Sequence, residues 1–246
     1  MTGHRFGAAH DPLVVEERLT GTELSLGVRS DGVRFQALPT TQDDKRLLDG
    51  DRGSNTGGMG AVAPHPEASP ELMSEVSEEI VGPVLEELAR EGRPFRSVRY
   101  AGLMLTDDGP NALEGNARLG DPEPGVVLPL PTDDLYSYVL GIAEGKRPDI
   151  PPRFAGASVA VVMAAVGSPE RAEKGIPIHL PSRPESLIFQ APTERGDGPL
   201  TSGGGRTLLV VGQRDPLKAA RATASRDVEQ VTVPGAQFRR DLGGGQ

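Results

Sequence analysis

The stretch that decides the fold spans residues 113–123 and has the sequence Leu113-Glu114-Gly115-Asn116-Ala117-Arg118-Leu119-Gly120-Asp121-Pro122-Glu123. Before it, the apolar run at residues 100–106 predicts a buried strand, and the Asp-Gly pair within residues 107–110 predicts a hairpin turn. The chain then returns as a second strand that carries Glu114 and Asn116. Because residues two apart on a strand point to one side, Glu114, Asn116 and Arg118 are predicted to line a single surface.

The residue types on this surface suggest a chemistry. A carboxylate and an amide carbonyl are hard oxygen ligands suited to Mg²⁺. An arginine one step further is a bidentate partner for phosphate or carboxylate. The pattern therefore favours a site for a metal-bound nucleotide and a phosphorylated intermediate. The alternative is a solvent-facing strand edge with incidental charges, because so short a motif is not specific by itself.

Length and composition limit the possible classes of protein. The chain has 246 residues, which predicts one large or two modest domains. Its formal net charge of −9 argues against a nucleic-acid-binding surface. It contains no cysteine, which excludes disulfides, zinc–thiolate sites and thiol nucleophiles and fits a cytoplasmic protein. No run of 18 apolar residues is present, so we expect no membrane association.

The N-terminal part is predicted to form an antiparallel meander of three strands. Residues 13–19, 23–28 and 33–38 each have strand-like composition, and glycine-containing turns separate them. The acidic residues Glu17 and Glu23 have two interpretations. They are either ordinary charges at strand ends, or they form an adenine–ribose edge together with the backbone near Leu19.

Residues 39–61 are predicted to form a long, glycine-rich loop with charges of both signs. Gly57, Gly58 and Gly60 permit positive φ and a close approach of backbone N–H groups to an anion. The sequence is not a Walker A motif, because no Gly-Lys-Ser/Thr follows. A flexible surface loop is the alternative.

The rest of the chain alternates predicted helices and strands. Ser69-Pro70 predicts a helix start, Pro83 a bend and Gly92 a helix end. The remaining predicted elements are a helix capped by Thr132 and ending near residue 144, a proline-rich boundary at 146–154, strands at 157–166, 186–190 and 207–213, a turn at 203–205, a helix from 215 and a disordered tail at 243–246.

Taken in order, these motifs resemble those of the phosphoribosylamine–glycine ligases, the glycinamide ribonucleotide synthetases of the ATP-grasp family. The resemblance covers nearly the whole chain. It is carried by Val15-Glu16-Glu17-x-Leu19, Gly21-x-Glu23, Gln42-Asp43-x-Lys45-Arg46, Asn55-Thr56-Gly57-Gly58-Met59-Gly60-Ala61, Tyr100-Ala101-Gly102-Leu103-Met104, Glu114-x-Asn116-x-Arg118-x-Gly120-Asp121-Pro122-Glu123, Val161-Val162-Met163, Gly167-x-Pro169, Glu173-Lys174-Gly175, Gly204-Gly205-Arg206 and Arg239-Arg240-Asp241-Leu242-Gly243.

The resemblance implies an α/β fold, with the C-terminal part of an ATP-grasp domain at residues 1–150 and a small mixed α/β domain at 151–246. It implies that ATP phosphorylates glycine and that 5-phosphoribosylamine attacks the glycyl phosphate, with Mg²⁺ or Mn²⁺ as cofactor. The implied roles are metal ligands for Glu114 and Asn116, phosphoryl stabilisation for Arg118, the adenine–ribose edge for Glu17, Leu19 and Glu23, and substrate contacts for Gln42, Asp43, Lys45, Gly57, Gly58, Gly60, Asp121 and Glu123.

The sequence also departs from the family pattern. Asp44 stands where a histidine is usual, Gly115 and Leu119 replace aromatic residues, and Pro124-Gly125 replaces Thr-Gln. No lysine–glycine lid segment is found before residue 13, so the resemblance is to the C-terminal portion only. We therefore expect full activity to require the missing portion, which is either supplied by a separate N-terminal chain or lost by truncation. The alternative is a noncatalytic remnant that binds a nucleotide or a partner protein.

Overall fold

The protein is described here by a computed structural model of residues 15–144 and 152–243. Within these ranges the strands form two larger antiparallel sheets, and helices cover both. The elements in chain order are β1 (Thr22–Asp31), β2 (Phe35–Ala37), β3 (Gln42–Asp43), β4 (Arg46–Leu48), β5 (Arg52–Asn55), β6 (Gly60–Ala63), α1 (Pro70–Glu75), a π-helical segment (Val76–Val81), α2 (Gly82–Arg90), β7 (Arg96–Thr106), β8 (Gly109–Asn116), α3 (Pro124–Val127), α4 (Leu135–Ala143), β9 (Ser158–Ala164), β10 (Leu187–Gln190), β11 (Thr193–Glu194), β12 (Thr201–Ser202), β13 (Arg206–Gln213) and α5 (Leu217–Val228).

The first sheet has the strand order β2-β1-β7-β8, and one of its faces is covered by α1, the π-helical segment and α2. Leu24, Leu26 and Leu103 are fully buried and pack with apolar residues of α1, the π-helical segment and α2. Because side chains alternate along a strand, Ser25 and Tyr100 point to the opposite face. This face carries the polar residues of the candidate site.

The helical segment after Ser69 begins and ends as its sequence predicts. The Ser69 hydroxyl accepts a hydrogen bond from the Leu72 N–H at 3.1 Å, which satisfies one of the open donors of the first turn. The π-helical segment Val76–Val81 lies just before Pro83, which has no N–H to donate to the preceding turn. Gly92 has φ +76° and ends α2 in the left-handed conformation that glycine adopts without strain.

The second sheet has the strand order β10-β13-β9-β6-β3. Every residue of β9 is buried, which explains its unbroken apolar sequence and confirms the strand predicted at residues 157–166. One face packs on α5 through residues such as Val161 and Val210, and α3 packs on the opposite face. The sheet therefore has a helix on each side.

The second sheet is built from both ends of the chain. Strands β3 and β6 come from residues before 64, but β6 pairs with β9, from Gly60 opposite Val161 to Ala63 opposite Ser158. The predicted domain boundary at residue 150 lies within 145–151, outside the described residues, so it stays a prediction. The structure shows that segments on either side of it share one sheet.

Three local predictions are corrected. Residues 15–19 have no strand structure, so the predicted meander is reduced to β1 and β2, while residues 13 and 14 lie outside the described residues. The predicted loop at 39–61 instead contains β3, β4, β5 and the start of β6. Strand β3 pairs with β6 and β4 with β5, whereas β6 also pairs with the distant β9. Asp134, not Thr132, caps α4, since its carboxylate accepts from the Tyr136 N–H at 3.0 Å whereas the Thr132 hydroxyl donates to the Arg153 carbonyl.

The hairpin predicted around residues 107–110 is confirmed as β7 and β8. Among residues 15–144 and 152–243, no helix combines the length and the apolar character needed to cross a membrane. Of the disordered tail predicted at 243–246, residues 244–246 lie outside the described residues.

Candidate active site

Glu114 and Asn116 lie on one face of β8, as predicted. They are the register partners of Gly102 and Tyr100 on β7. Glu114 is exposed and Asn116 is half-buried. A Cβ atom on Gly102 would lie 3.0 Å from Glu114 Cγ, so the absence of a side chain at Gly102 leaves room for the Glu114 side chain to lie over β7. The pair therefore offers a carboxylate and an amide oxygen side by side.

This donor set fits a magnesium ion held jointly with a nucleotide. In the described part of the chain, no three His, Cys, Asp or Glu side chains come together as a metal site of their own. Mg²⁺ is commonly bound by only one or two protein oxygens, with phosphate oxygens and water completing its coordination. Glu114 and Asn116 are thus the residues that would hold such an ion.

Arg118 does not share the strand face with Glu114 and Asn116. Strand β8 ends at Asn116, and residues 117–120 are irregular. The guanidinium group of Arg118 is exposed and donates to the carbonyl of Leu119 at 2.7 Å. The prediction that Arg118 extends the strand face is wrong, because the strand stops two residues earlier.

Gly115, which stands where an aromatic residue is usual in the resembled family, is covered by the side chain of Arg99. A Cβ atom at this position would lie 2.6 Å from Arg99 Nη2, so the Arg99 side chain already covers the glycine. Gly115 alternates with Glu114 and faces the opposite side of β8. The arginine therefore occupies space next to the position where an aromatic side chain is usual in the family.

Two carboxylates of the site, Asp43 and Glu123, are buried. Asp43 is 8% exposed and Glu123 is 6% exposed. Asp43 Oδ1 and Glu123 Oε2 are buried and accept no hydrogen bond within the described part of the protein. Burial raises the pKa of Asp43 to about 8, and the charge of Glu123 adds to the rise. Unsatisfied buried acceptors are costly, so this pair is suited to a cationic or donor ligand.

Tyr100 and Ser25 border the two carboxylates from the polar face of the first sheet. The Tyr100 hydroxyl and Ser25 Oγ are 2.8 Å apart, and both residues are buried. Burial raises the pKa of Tyr100, and the neighbouring charge of Glu123 raises it further. The tyrosine is therefore neutral at ordinary pH and can act as a hydrogen-bond donor or acceptor.

Lys45 supplies a positive charge to this acidic region. Its Nζ atom lies 2.6 Å from Glu23 Oε2, which links the segment after β3 to the start of β1. Burial lowers the pKa of Lys45, but the hydrogen bond and charge of Glu23 outweigh this effect and raise the pKa. The structure therefore brings together two residues predicted from separate motifs.

Within the glycine-rich residues 57–60, the structure shows the contacts of Gly58 and Gly60. Gly58 donates its N–H to the Thr56 hydroxyl, and Met59 donates to the Asp44 carbonyl. Gly60 lies in β6, where a Cβ atom would be 2.6 Å from the Ala160 carbonyl oxygen. Because these N–H groups are used within the protein, the predicted role in binding an anion is not supported for Gly58. Gly60 is required by strand packing.

The other predicted residues have different surroundings. Gln42 is half-buried and pairs with Val62 in the second sheet. The Asp121 carboxylate accepts a hydrogen bond from Arg206 Nη2 at 2.8 Å. Glu17 is exposed and Leu19 half-buried, both in the irregular segment before β1. Their assignment to an adenine–ribose edge stays a prediction.

Arg206, Tyr100 and Ser25 belong to the site but received no separate role from sequence reasoning. Tyr100 was predictable in principle, because strand alternation puts it on the face opposite the apolar residues of β7. A cavity of about 950 Å³ adjoins the Arg206–Asp121 pair, and its walls are mostly apolar residues of β10, β13 and the α3 region. Nothing in the local sequence around Arg206 indicates that it contacts Gly57 and Asp121.

Comparison with known proteins identifies the class of fold. A family model described as the ATP-grasp (A) domain of phosphoribosylglycinamide synthetase matches residues 1–124. The biotin carboxylase domain of a thermophilic 2-oxoglutarate carboxylase has a TM-score of 0.63 and 15% identity, over 88% of this chain and 48% of that one. At this identity the likeness concerns the fold alone. The predicted ATP-grasp architecture is confirmed.

The second family model gives the particular family. The C domain of phosphoribosylglycinamide synthetase matches residues 158–245. The chain belongs to the phosphoribosylglycinamide synthetase family. The crystal structure of the phosphoribosylamine–glycine ligase of Thermotoga maritima has a TM-score of 0.84 and 40% identity, covering 92% of this chain and 56% of that chain.

Curated relatives support the same family. The phosphoribosylamine–glycine ligase of Ralstonia nicotianae is 42% identical over 99% of this chain and 58% of its own length. The chicken trifunctional purine biosynthetic protein adenosine-3 is 40% identical over 99% of this chain and 25% of its own length. The chain thus spans little more than half of the ligase and a quarter of the trifunctional protein.

Proposed function

We propose that this chain provides the C-terminal part of a phosphoribosylamine–glycine ligase of purine biosynthesis. The reaction would join glycine to 5-phosphoribosylamine through a glycyl phosphate, giving glycinamide ribonucleotide, ADP and phosphate. The observation that carries the proposal is the joint occurrence of two residue pairs in a chain of this family. Glu114 and Asn116 offer two oxygen ligands, and Asp43 and Glu123 form a buried carboxylate pair. Such an enzyme would act in the cytoplasm, as the sequence led us to expect.

The residue roles follow from the chemistry of the groups. A magnesium or manganese ion on the nucleotide would supply charge neutralisation for phosphoryl transfer. Glu114 and Asn116 would hold that ion, and the exposed Arg118 is available to the negative charge of the transferring phosphoryl group. Lys45 adds a second cation close by.

The buried carboxylates are proposed to bind the ammonium group of glycine. Among residues 15–144 and 152–243, Asp43 Oδ1 and Glu123 Oε2 have no hydrogen-bond partner, and an ammonium ion has three donors. Because Asp43 has a pKa of about 8, it holds a proton near pH 7 in the absence of a cation. Bound ammonium would release that proton and would hold the amino acid with its carboxylate free to react.

The chain spans 58% of the length of two curated ligases that it matches. The remaining portion of those ligases would complete the nucleotide and phosphoribosylamine sites. A closed site is needed to keep water from the acyl phosphate. Family membership favours this function over a noncatalytic remnant.

Calorimetric titration of Mg-ATP into the purified chain tests the proposal. Saturable binding that Glu114→Ala abolishes would support it, with exposed Glu86→Ala as the matched control on α2. The second step adds the portion of a relative that this chain does not cover and measures glycine-dependent ADP release. Absence of both binding and ADP release in a folded chain would contradict the ligase function and would leave the noncatalytic alternative.

A further inference from the structure

Arg206 joins two segments that are far apart in the sequence. Its Nη1 atom donates to the Gly57 carbonyl at 2.7 Å and to the Asp121 carbonyl at 3.3 Å. Its Nη2 atom donates to Asp121 Oδ2 at 2.8 Å. A Cβ atom on Gly57 would lie 3.2 Å from Arg206 Cζ, so the glycine packs directly against the guanidinium group. One side chain at the start of β13 therefore holds both segments.

The two segments carry the buried carboxylates of the site. Gly58 follows Gly57, and a Cβ atom on it would lie 2.6 Å from Asp43 Oδ1 and 2.5 Å from Pro122 Cδ. Glu123 follows Pro122, and its carboxylate turns back over Gly120. The contact between Gly58 and Pro122 is thus the point where the two segments meet, next to Asp43.

We infer that Arg206 is a positioning residue that sets the separation of Asp43 and Glu123. It touches neither carboxylate, but it restrains the backbone on either side of the pair. Arginine suits this role because its planar group presents several N–H donors at fixed angles, whereas lysine has a single nitrogen. The effect on activity rests on the proposed function; the effect on geometry does not.

The geometric part is tested by following the carboxyl carbon of Asp43 by ¹³C NMR during a pH titration of the chain without substrate. Loss of a nearby cation alone would raise the pKa of Asp43, whereas separation from Glu123 and entry of water would lower it. In Arg206→Gln we expect the pKa to fall from about 8 by one unit or more, with a smaller fall in Arg206→Lys. Asp121→Asn removes one partner of Arg206 and should give an intermediate fall.

The matched control is Arg153→Gln, which breaks an exposed arginine–aspartate pair with Asp133. It should leave the Asp43 titration unchanged. Circular dichroism establishes that each variant is folded, and Arg206→Lys and Asp121→Asn serve if Arg206→Gln does not fold. An unchanged or raised pKa of Asp43 in the folded Arg206 variants would overturn the inference.

Steady-state kinetics provide the second readout. They are measured after adding the portion of a relative that this chain does not cover. Arg206→Lys should raise KM for glycine about tenfold and leave KM for ATP within about twofold, because only the carboxylate pair is displaced. A loss of kcat with both KM values unchanged would contradict a positioning role. If no variant and no wild-type protein shows ligase activity, the proposed function fails while the NMR result still decides the role of Arg206.

Discussion

Lys45 Nζ lies 2.6 Å from Glu23 Oε2, and this ion pair links the two sheets next to the buried carboxylates. Glu23 belongs to β1 of the first sheet, whereas Lys45 follows β3 of the second. Both side chains are about one-third exposed, so the pair by itself contributes little to stability. Its importance lies in the opposite effects of its two charges on the pKa of Asp43.

Substitution of Lys45 and Glu23 should shift the Asp43 titration in opposite directions. The charge of Lys45 lowers the pKa of Asp43, and the charge of Glu23 raises it. Lys45→Met should therefore raise this pKa above 8, and Glu23→Gln should lower it. The measurement is ¹³C NMR of the Asp43 carboxyl, with Lys218→Met at an exposed position of α5 as control. Shifts of the same sign in both variants would contradict this electrostatic interpretation.

Asp43 should also make stability fall with rising pH. Its folded-state pKa of about 8 lies above its ordinary value of 3.8, so the folded state binds the proton more tightly than the unfolded state. The resulting stabilisation is complete below pH 4 and is lost as pH rises to about 8, at up to roughly 1.4 kcal/mol per pH unit. Asp43→Asn should remove this part of the slope and be more stable than wild type at pH 8.5.

Urea unfolding at several pH values measures the slope, because the midpoint follows the free energy of unfolding when the m-value is constant. The control is Asp197→Asn at an exposed position. Equal pH slopes for Asp43→Asn and wild type would show that Asp43 ionises normally in the folded protein.

Gly58→Ala should destabilise the protein and displace Asp43. Gly58 has φ +112°, and an added Cβ would lie 2.6 Å from Asp43 Oδ1. Backbone strain and overpacking of this kind cost about 1–3 kcal/mol each. Gly198→Ala is the matched control, because nothing lies within 4 Å of its Cβ position. Urea unfolding of the two variants provides the comparison, and equal midpoints would refute the strain argument.

Two adjacent arginines should differ sharply in their contribution to stability. The Arg239 side chain is 3% exposed and binds Asp241 at 2.7 Å and Asp51 at 2.7 Å. Arg239→Met leaves these carboxylates without a cation and should cost about 3 kcal/mol or more. Arg240→Met removes an exposed pair with Glu229 and should cost less than about 1 kcal/mol. Thermal or urea unfolding distinguishes them, and similar losses would contradict the burial argument.

The same Arg239 explains how the unusual Asp44 is accommodated. Asp44 lies 3.8 Å from Arg239 Nη2. Burial raises the pKa of Asp44 to about 6, and the charge of Arg239 opposes that rise. The closing segment of the chain therefore supplies the counter-charge for a residue that stands where the family usually has histidine.

Local sequence was sufficient for the elements whose contacts are local. The β7–β8 hairpin follows from two strand-like runs around an Asp-Gly turn, and the helix from Ser69 follows from its cap and its apolar spacing. The short strands β3 and β6 were assigned to a loop instead. They contain two and four residues and pair with each other, and β6 also pairs with β9, about 100 residues away in the chain, a contact that no local pattern reports.

Some features of the candidate site likewise follow from local sequence, and others depend on contacts between distant segments. The sequence by itself determined that Glu114 and Asn116 share a face, because strand periodicity is a property of the backbone. The order of its motifs was also sufficient to indicate the family. Only the tertiary structure decided that Asp43 and Glu123 lose their solvent together and that Arg206 holds the segments beside them. Burial, pKa and contacts between distant segments depend on how the two sheets and their loops pack, so they have no signature in any single stretch.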